Sequence, residues 1–139
     1  HKLSISEPLG LLIASQIKRQ RIELPELLIP VPTSTQRLQQ RGFNQAVEIA
    51  KVIGKQLSIP VDYTSVTRSK QSSVQKNLNK QQRSHNVDSA FILTKPISAK
   101  RVAIIDDVIT TGATTKAIAY LLRENGVKTI QSWAVARTL

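Results

Sequence analysis

The sequence predicts an α/β domain whose parallel sheet is covered by helices on both faces. Three observations carry that prediction. Apolar runs of strand length alternate with stretches of helical periodicity, and one run, Val102 to Ile105, is apolar without a break. The two most chemically suggestive loops, Thr33 to Arg41 and Asp106 to Thr114, follow predicted strands, where ligand sites of open α/β sheets lie.

Each element has its own justification. Pro8 to Arg21 places Leu9, Leu12, Ile13 and Ile17 at helical spacing, and its basic end (Lys18, Arg19, Arg21) complements the negative end of a helix dipole. Leu27, Leu28, Ile29 and Val31, broken by Pro30 and Pro32, read as a buried strand feeding a polar loop. Phe43, Ala46, Val47, Ala50, Ile53 and Leu57 repeat at three and four residues and mark a helix that ends before Pro60. Val61 to Val66 is expected to be a short strand. Between Asp62 and Asp88 there is no acid, while Arg68, Lys70, Lys76, Lys80 and Arg83 stand among serines, glutamines and asparagines. Residues 68–86 are therefore expected to form a mobile basic loop. Ala90 to Leu93 is a further strand. After Val102 to Ile105, Ala117, Ile118, Leu121 and Leu122 define a helix that Gly126 stops, and Val127 to Ala136 closes the chain with a strand carrying Trp133 into the core.

Composition bounds the function. A chain of 139 residues with 40% apolar residues fits one compact domain, so disorder is not the default. Lys and Arg number 20 against 9 acids, a formal charge of +11, which points to a polyanionic partner or a phosphorylated ligand. The absence of cysteine excludes a disulfide frame, a thiol nucleophile and a cysteine-based zinc site, and suits a reducing cytosol. No apolar run approaches the roughly 20 residues of a membrane helix, and the opening HKLSISEP lacks a signal-peptide core. A cytoplasmic protein without membrane insertion is expected. Since no methionine is present, the chain is expected to be the C-terminal part of a longer protein.

The densest chemistry lies in Asp106 to Thr114. A loop of small residues entering a helix N-terminus directs backbone N–H groups and the positive end of the helix dipole at one spot, which suits phosphate. Thr110, Thr111 and Thr114 add hydroxyl donors, and Gly112 permits close approach of an anion. The adjacent Asp106 and Asp107 repel one another unless donors or a cation relieve them, and both sugar hydroxyls and Mg²⁺ qualify. A phosphate cradle beside a diol acceptor is what a ribose 5-phosphate needs. A P-loop would need a GxxxxGK run and a dinucleotide fingerprint three glycines, whereas Gly112 stands alone. In the blander reading the aspartates end a strand and Thr114 caps a helix, but the order of strand, paired acids, threonines, glycine and helix favours the ligand site.

VAIIDDVITTGAT (Val102 to Thr114) resembles the phosphoribosyl-pyrophosphate (PRPP) signature of type I phosphoribosyltransferases. IPVPTSTQRLQQRGFNQA (Ile29 to Ala46) resembles the RGFNQ region of the competence protein F (ComF) family, and Arg68 to Phe91 resembles the polar loop of that family. The resemblance implies a type I phosphoribosyltransferase-like fold, a mostly parallel sheet flanked by helices with a small hood. It implies that Asp106 and Asp107 hold the ribose hydroxyls, and that Thr110, Thr111, Gly112, Ala113 and Thr114 grip the 5-phosphate. Pyrophosphate would meet Val31, Pro32, Thr33, Ser34 and Thr35, with Arg37 and Arg41 close behind. Arg68, Lys70, Lys76 and Arg83 would belong to the loop that covers the substrate. Mg²⁺ would lie near Asp106 and Asp107, reached through ligand or water rather than directly. Many family members carry an N-terminal four-cysteine zinc module, which this cysteine-free chain does not contain, and the hood has no clear counterpart beyond the first helix and residues 61–91.

Three function classes follow. The first is a PRPP-binding, Mg²⁺-dependent phosphoribosyltransferase-like protein of natural transformation, the import of single-stranded DNA into the cytoplasm, with DNA-uptake proteins including a competence helicase as partners. The second is a non-catalytic adaptor that binds single-stranded DNA through its charge and is regulated by PRPP. Its scattered aromatics, Phe43, Tyr63, Phe91, Tyr120 and Trp133, do not interleave with basic residues as a stacking platform would. The third, a nucleobase-salvage enzyme, fits the RGFNQ region less well. Arg41 belongs either to a functional turn or to a helix entrance, Phe43 is expected in the core, and His85 is expected to face solvent rather than bind metal.

Overall fold

The computed structural model describes residues 5–34, 38–40, 42–69, 90–109 and 111–137. Helix α1 spans Ser6–Gln20 and buries Ile13, Ala14 and Ile17. Strand β1 (Leu27–Pro30) leads through residues 31–44 to helix α2 (Gln45–Leu57), whose buried stripe is Ala46, Ile49, Ala50 and Ile53. The short strands β2 (Val66–Arg68) and β3 (Phe91–Leu93) pair as an antiparallel ribbon. Strand β4 (Arg101–Ile109), helix α3 (Ala113–Glu124) and strand β5 (Thr129–Arg137) complete the order.

The main sheet has the order β1-β4-β5, all parallel, and Val61 extends it by a single parallel bridge to Leu28. Parallel pairing needs crossovers, and α2 and α3 lie on the connections that supply them. Alternation along the strands then sorts side chains to two cores. Val102 and Ile104 of β4 and Ile29 of β1 join Ala117, Ile118 and Leu122 of α3 and Val66 and Phe91 of the ribbon. Ala103 and Ile105 of β4 and Leu28 of β1 face the other way, onto Ile13 and Ile17 of α1, Ile49, Ala50 and Ile53 of α2, and Trp133. Both faces are covered, as the unbroken apolar run of β4 requires, and Trp133 is in the core. Fully burying an isoleucine of this kind contributes about 2 kcal/mol. The helices α1 and α2 approach so closely that a Cβ added to Gly10 would lie 2.6 Å from Val52 Cβ, so only glycine fits there.

Three expectations are corrected. The segment 61–66 is not one strand: Val61 bridges Leu28, after which Asp62 accepts hydrogen bonds from the amides of Thr64 and Ser65 (3.1 and 3.0 Å) and from Ser65 Oγ (2.6 Å). That side-chain turn carries the chain off the sheet before β2 begins. Burial pushes the Asp62 carboxyl up, but the bonds from Ser65 and Thr64 outweigh it and hold the group below its ordinary value. Next, β4 does not stop at the aspartates, because Val108 and Ile109 keep pairing with Ala136 and Arg137 of β5. Arg68, expected in a mobile loop, is the last residue of β2, paired with Phe91. Lys70, Lys76, Arg83 and His85 lie outside the described residues, as do Thr35, Arg37, Arg41 and Thr110.

Candidate functional site

The C-terminal end of the sheet opens into a shallow cleft that Asp106 and Asp107 share with Val31, Pro32, Thr33 and Arg68 and with residues 43–46 at the start of α2. Asp106 also borders an adjoining hollow formed by Val108, Ile109 and residues 111–115 at the start of α3. One carboxylate thus sits where two recesses meet.

The carboxylates are held by their own backbone. The Asp107 amide donates to Asp106 Oδ1 at 2.8 Å and the Val108 amide to Asp107 Oδ1 at 2.9 Å. These bonds do not offset the surroundings of Asp106. Burial, followed by its contact with Asp107, pushes its carboxyl up to about 6. Two adjacent carboxyl groups disfavour one another's ionised form, and hydroxyl donors or a cation would relieve this. Oxygen donors of this kind suit a hard divalent ion and a vicinal diol alike.

The turn into α3 gathers backbone amides at the second hollow. Gly112 stands at the N-cap with φ +82°, a left-handed conformation glycine adopts without strain, and nothing lies within 4 Å of where a Cβ would be. Thr111 Oγ1 accepts the Ala113 amide at 3.2 Å, and the Lys116 amide closes the first helical bond onto the Gly112 carbonyl at 2.9 Å. Helix geometry directs the remaining first-turn amides, those of Thr114 and Thr115, at the hollow. The first turn holds no acid. Thr114 lies inside α3 and does not cap it, contrary to the blander reading of the sequence.

The opposite wall is tied together by contacts remote in sequence. The Val31 amide donates to the Ile105 carbonyl at 2.8 Å, prolonging the β1–β4 pairing past Pro30. Asn44 caps α2 by accepting the Val47 amide at 3.2 Å while its Nδ2 donates to the Val31 carbonyl at 3.1 Å. Arg68 Nε donates to the Pro32 carbonyl at 3.1 Å, and its guanidinium lies 5.0 Å from the Phe91 ring centre. The ribbon and the loop after β1 are thereby joined. Phe43 is half-buried and lines the cleft; it does not enter the core, because α2 starts only at Gln45 and turns its apolar stripe inward from Ala46. The sequence motif around Arg41 to Asn44 marked this region, but not that Phe43, Asn44 and Gln45 would face the paired acids.

Of the residues expected to act together, Asp106, Asp107, Val31, Pro32, Thr33 and Arg68 line the cleft, and Thr111 to Thr114 line the hollow beside it. Ser34 accepts the Leu38 amide through its carbonyl at 3.0 Å.

Comparison with known proteins identifies the family and the fold. The phosphoribosyl transferase domain family matches residues 41–138. The chain is 36% identical over 137 residues to competence protein F of Haemophilus influenzae, covering 96% of this chain and 60% of that protein. It is 37% identical over 118 residues to the DNA utilization protein YhgH of Shigella flexneri, covering 85% of this chain and 52% of that one. The chain thus spans little more than half the length of these relatives. Among solved structures, the purine phosphoribosyltransferase of Pyrococcus horikoshii Ot3 shares the fold, with a TM-score of 0.50 and 19% identity over 94% of this chain and 71% of that one. A sequence of this likeness, folded into a parallel sheet that ends in paired aspartates and a glycine-capped helix, belongs to the phosphoribosyl transferase domain family.

Proposed function

We infer that the cleft binds PRPP together with Mg²⁺, and that the chain is one phosphoribosyltransferase-like domain of a longer, cytoplasmic protein acting in natural transformation. The observation that carries this reading is the position of Asp106, half-buried with its carboxyl pushed up to about 6, between the paired-acid cleft and the anion-directing start of α3. A sugar whose vicinal hydroxyls donate to Asp106 and Asp107 would place its 5-phosphate over the amides of Thr114 and Thr115 and the hydroxyls of Thr111 and Thr114. Its pyrophosphate would lie toward residues 31–34 and Arg68. Mg²⁺ would supply neutralisation of pyrophosphate charge, and the carboxylate oxygens beside the cleft are the donor type it takes.

In a transferase reaction a nucleophile displaces pyrophosphate from the anomeric carbon. This chain's part would be to orient the ribose through the aspartates, stabilise the leaving group with Arg68 and the backbone of residues 31–34, and exclude water. The names of the relatives, competence protein F and DNA utilization protein, support a role in handling imported DNA. The charge of +11 supports single-stranded DNA as a partner, bound less tightly as salt rises. Among the described residues no helix is long and apolar enough to cross a membrane.

The test is thermal. PRPP with Mg²⁺ at about 100 times its dissociation constant should stabilise the fold by about 2.7 kcal/mol and raise the melting temperature by several degrees. The double variant Asp106→Asn, Asp107→Asn should keep its fold and lose the rise. An intact protein that does not respond to PRPP at any Mg²⁺ concentration refutes the reading.

A further inference from the structure

The wall of the cleft formed by the loop after β1 has its backbone acceptors taken one after the other. The Val31 amide donates to the Ile105 carbonyl, and the Val31 carbonyl accepts Asn44 Nδ2 at 3.1 Å. Pro32 has no amide to offer, and its carbonyl accepts Arg68 Nε at 3.1 Å. Both donors come from segments remote in sequence, 13 and 36 positions away. Thr33, which also lines the cleft, carries the first backbone amide after β1 that no group among the described residues accepts.

Burial accounts for the first of these ties. Val31 is 8% exposed, and a carbonyl at such a position needs a donor in any fold. The second tie is different, because the bond from Arg68 to Pro32 is exposed and water would serve that carbonyl as well. An arginine held there, with its guanidinium 5.0 Å from the Phe91 ring centre, gives up side-chain freedom for a bond that folding does not need. The polarity of the cleft supplies a reason. Asp106 and Asp107 already bring acceptors to it, so carbonyls left open along the loop would add more and repel an anion. With the carbonyls of Val31 and Pro32 bound, the loop keeps donors for the cleft.

We propose that Asn44 and Arg68 are positioning residues: by occupying two successive carbonyls they make the loop after β1 a wall of donors for the pyrophosphate group of PRPP. This rests on the reading that PRPP binds in the cleft, and it adds which residues set the preference for a pyrophosphate-bearing ligand. Asn44 acts through the loop. Its Oδ1 accepts the Val47 amide at 3.2 Å, so one side chain fixes both the start of α2 and the Val31 peptide. Arg68 acts through Nε, one of several guanidinium N–H donors, and holds the loop while its charge serves the leaving group.

Calorimetry on the full-length protein tests this with PRPP and inorganic pyrophosphate, each with Mg²⁺, and with ribose 5-phosphate, which carries no pyrophosphate. Asn44→Ser keeps a capping oxygen and loses the reach to Val31. It should weaken PRPP and pyrophosphate about tenfold, leave ribose 5-phosphate within about twofold, and keep the wild-type melting temperature. Asn44→Ala should bind as the serine variant does but melt about 4 °C lower, since the cap is gone too. Arg68→Ala combined with Asn44→Ser should lose less binding free energy than the two single changes summed, because either one alone frees the loop. Additive losses overturn the role of Arg68. An Asn44→Ser protein with wild-type affinity for PRPP and pyrophosphate, or with ribose 5-phosphate weakened as much as they are, overturns the role of Asn44 while the PRPP reading stands. A protein that binds neither PRPP nor pyrophosphate overturns both together.

Discussion

Glu26, just before β1, and Asp106, toward the C-terminal end of β4, are carboxylates at opposite ends of one sheet. Glu26 Oε1 accepts the amides of Lys100 and Arg101 at 2.9 and 3.0 Å, and the Arg101 guanidinium lies 3.9 Å away. Those backbone bonds, led by Lys100, hold its carboxyl below the ordinary value. Asp106 is more buried, stands next to another carboxylate, and is pushed up to about 6. The fold supplies Glu26 with donors of its own, so that residue fastens the start of β1 to the start of β4. It gives Asp106 burial and a like-charged neighbour, leaving free energy that a donor-bearing ligand would recover. A carboxylate disfavoured by its own fold, in a cleft, supports the proposed binding site.

Three experiments sharpen or break this contrast, in order of expected size. The first follows PRPP affinity with pH. If ligand hydroxyls and cation favour ionised Asp106, affinity should rise up to about tenfold between pH 5 and pH 7 and level off above, measured by calorimetry at fixed Mg²⁺. A flat profile would separate Asp106 from the ligand. The second is Asp106→Asn without ligand. Because the folded carboxyl is raised, the native state holds its proton longer than the unfolded chain does, so the wild type loses stability as pH climbs from about 4 to about 6 and regains none above that. The variant should therefore be more stable than the wild type at pH 7, by on the order of 1 kcal/mol after allowing for solvent screening of a half-exposed group, and equal to it below pH 4. Denaturant titrations at the two pH values check this. The third is Glu26→Gln, which should have the opposite sign and the smallest size: a slight loss of melting temperature at pH 7 that disappears as the pH falls through the lowered pKa of Glu26. Equal effects of the two substitutions would remove the contrast.

Much of this was legible from residues alone, for reasons of range. Val102 to Ile105 announced a strand buried on both faces because every position was apolar, and the structure sends Val102 and Ile104 to one core and Ala103 and Ile105 to the other. Asp106, Asp107 and Gly112 lie within seven residues on either side of the turn from β4 to α3, so their proximity needed no tertiary contact. The wall facing them was harder to see. Asn44 reaches the Val31 carbonyl across 13 positions and Arg68 the Pro32 carbonyl across 36. Nothing local in an asparagine or an arginine announces such partners. The exact span of β4 depended on β5 as well, since only pairing with Ala136 and Arg137 keeps Val108 and Ile109 in the strand.

By itself, the sequence determined the alternation of strands and helices, the two-faced burial of β4 and the order of acids, threonines and glycine at the turn, because periodicity and turn chemistry act over a few residues. Only the tertiary structure decided that Phe43 lines a cleft instead of filling a core, that the Asp62 turn carries the chain away from the sheet, and that Asp106 is buried enough to resist ionisation. Each of those depends on which distant segments exclude water from the residue, and local pattern holds no record of that.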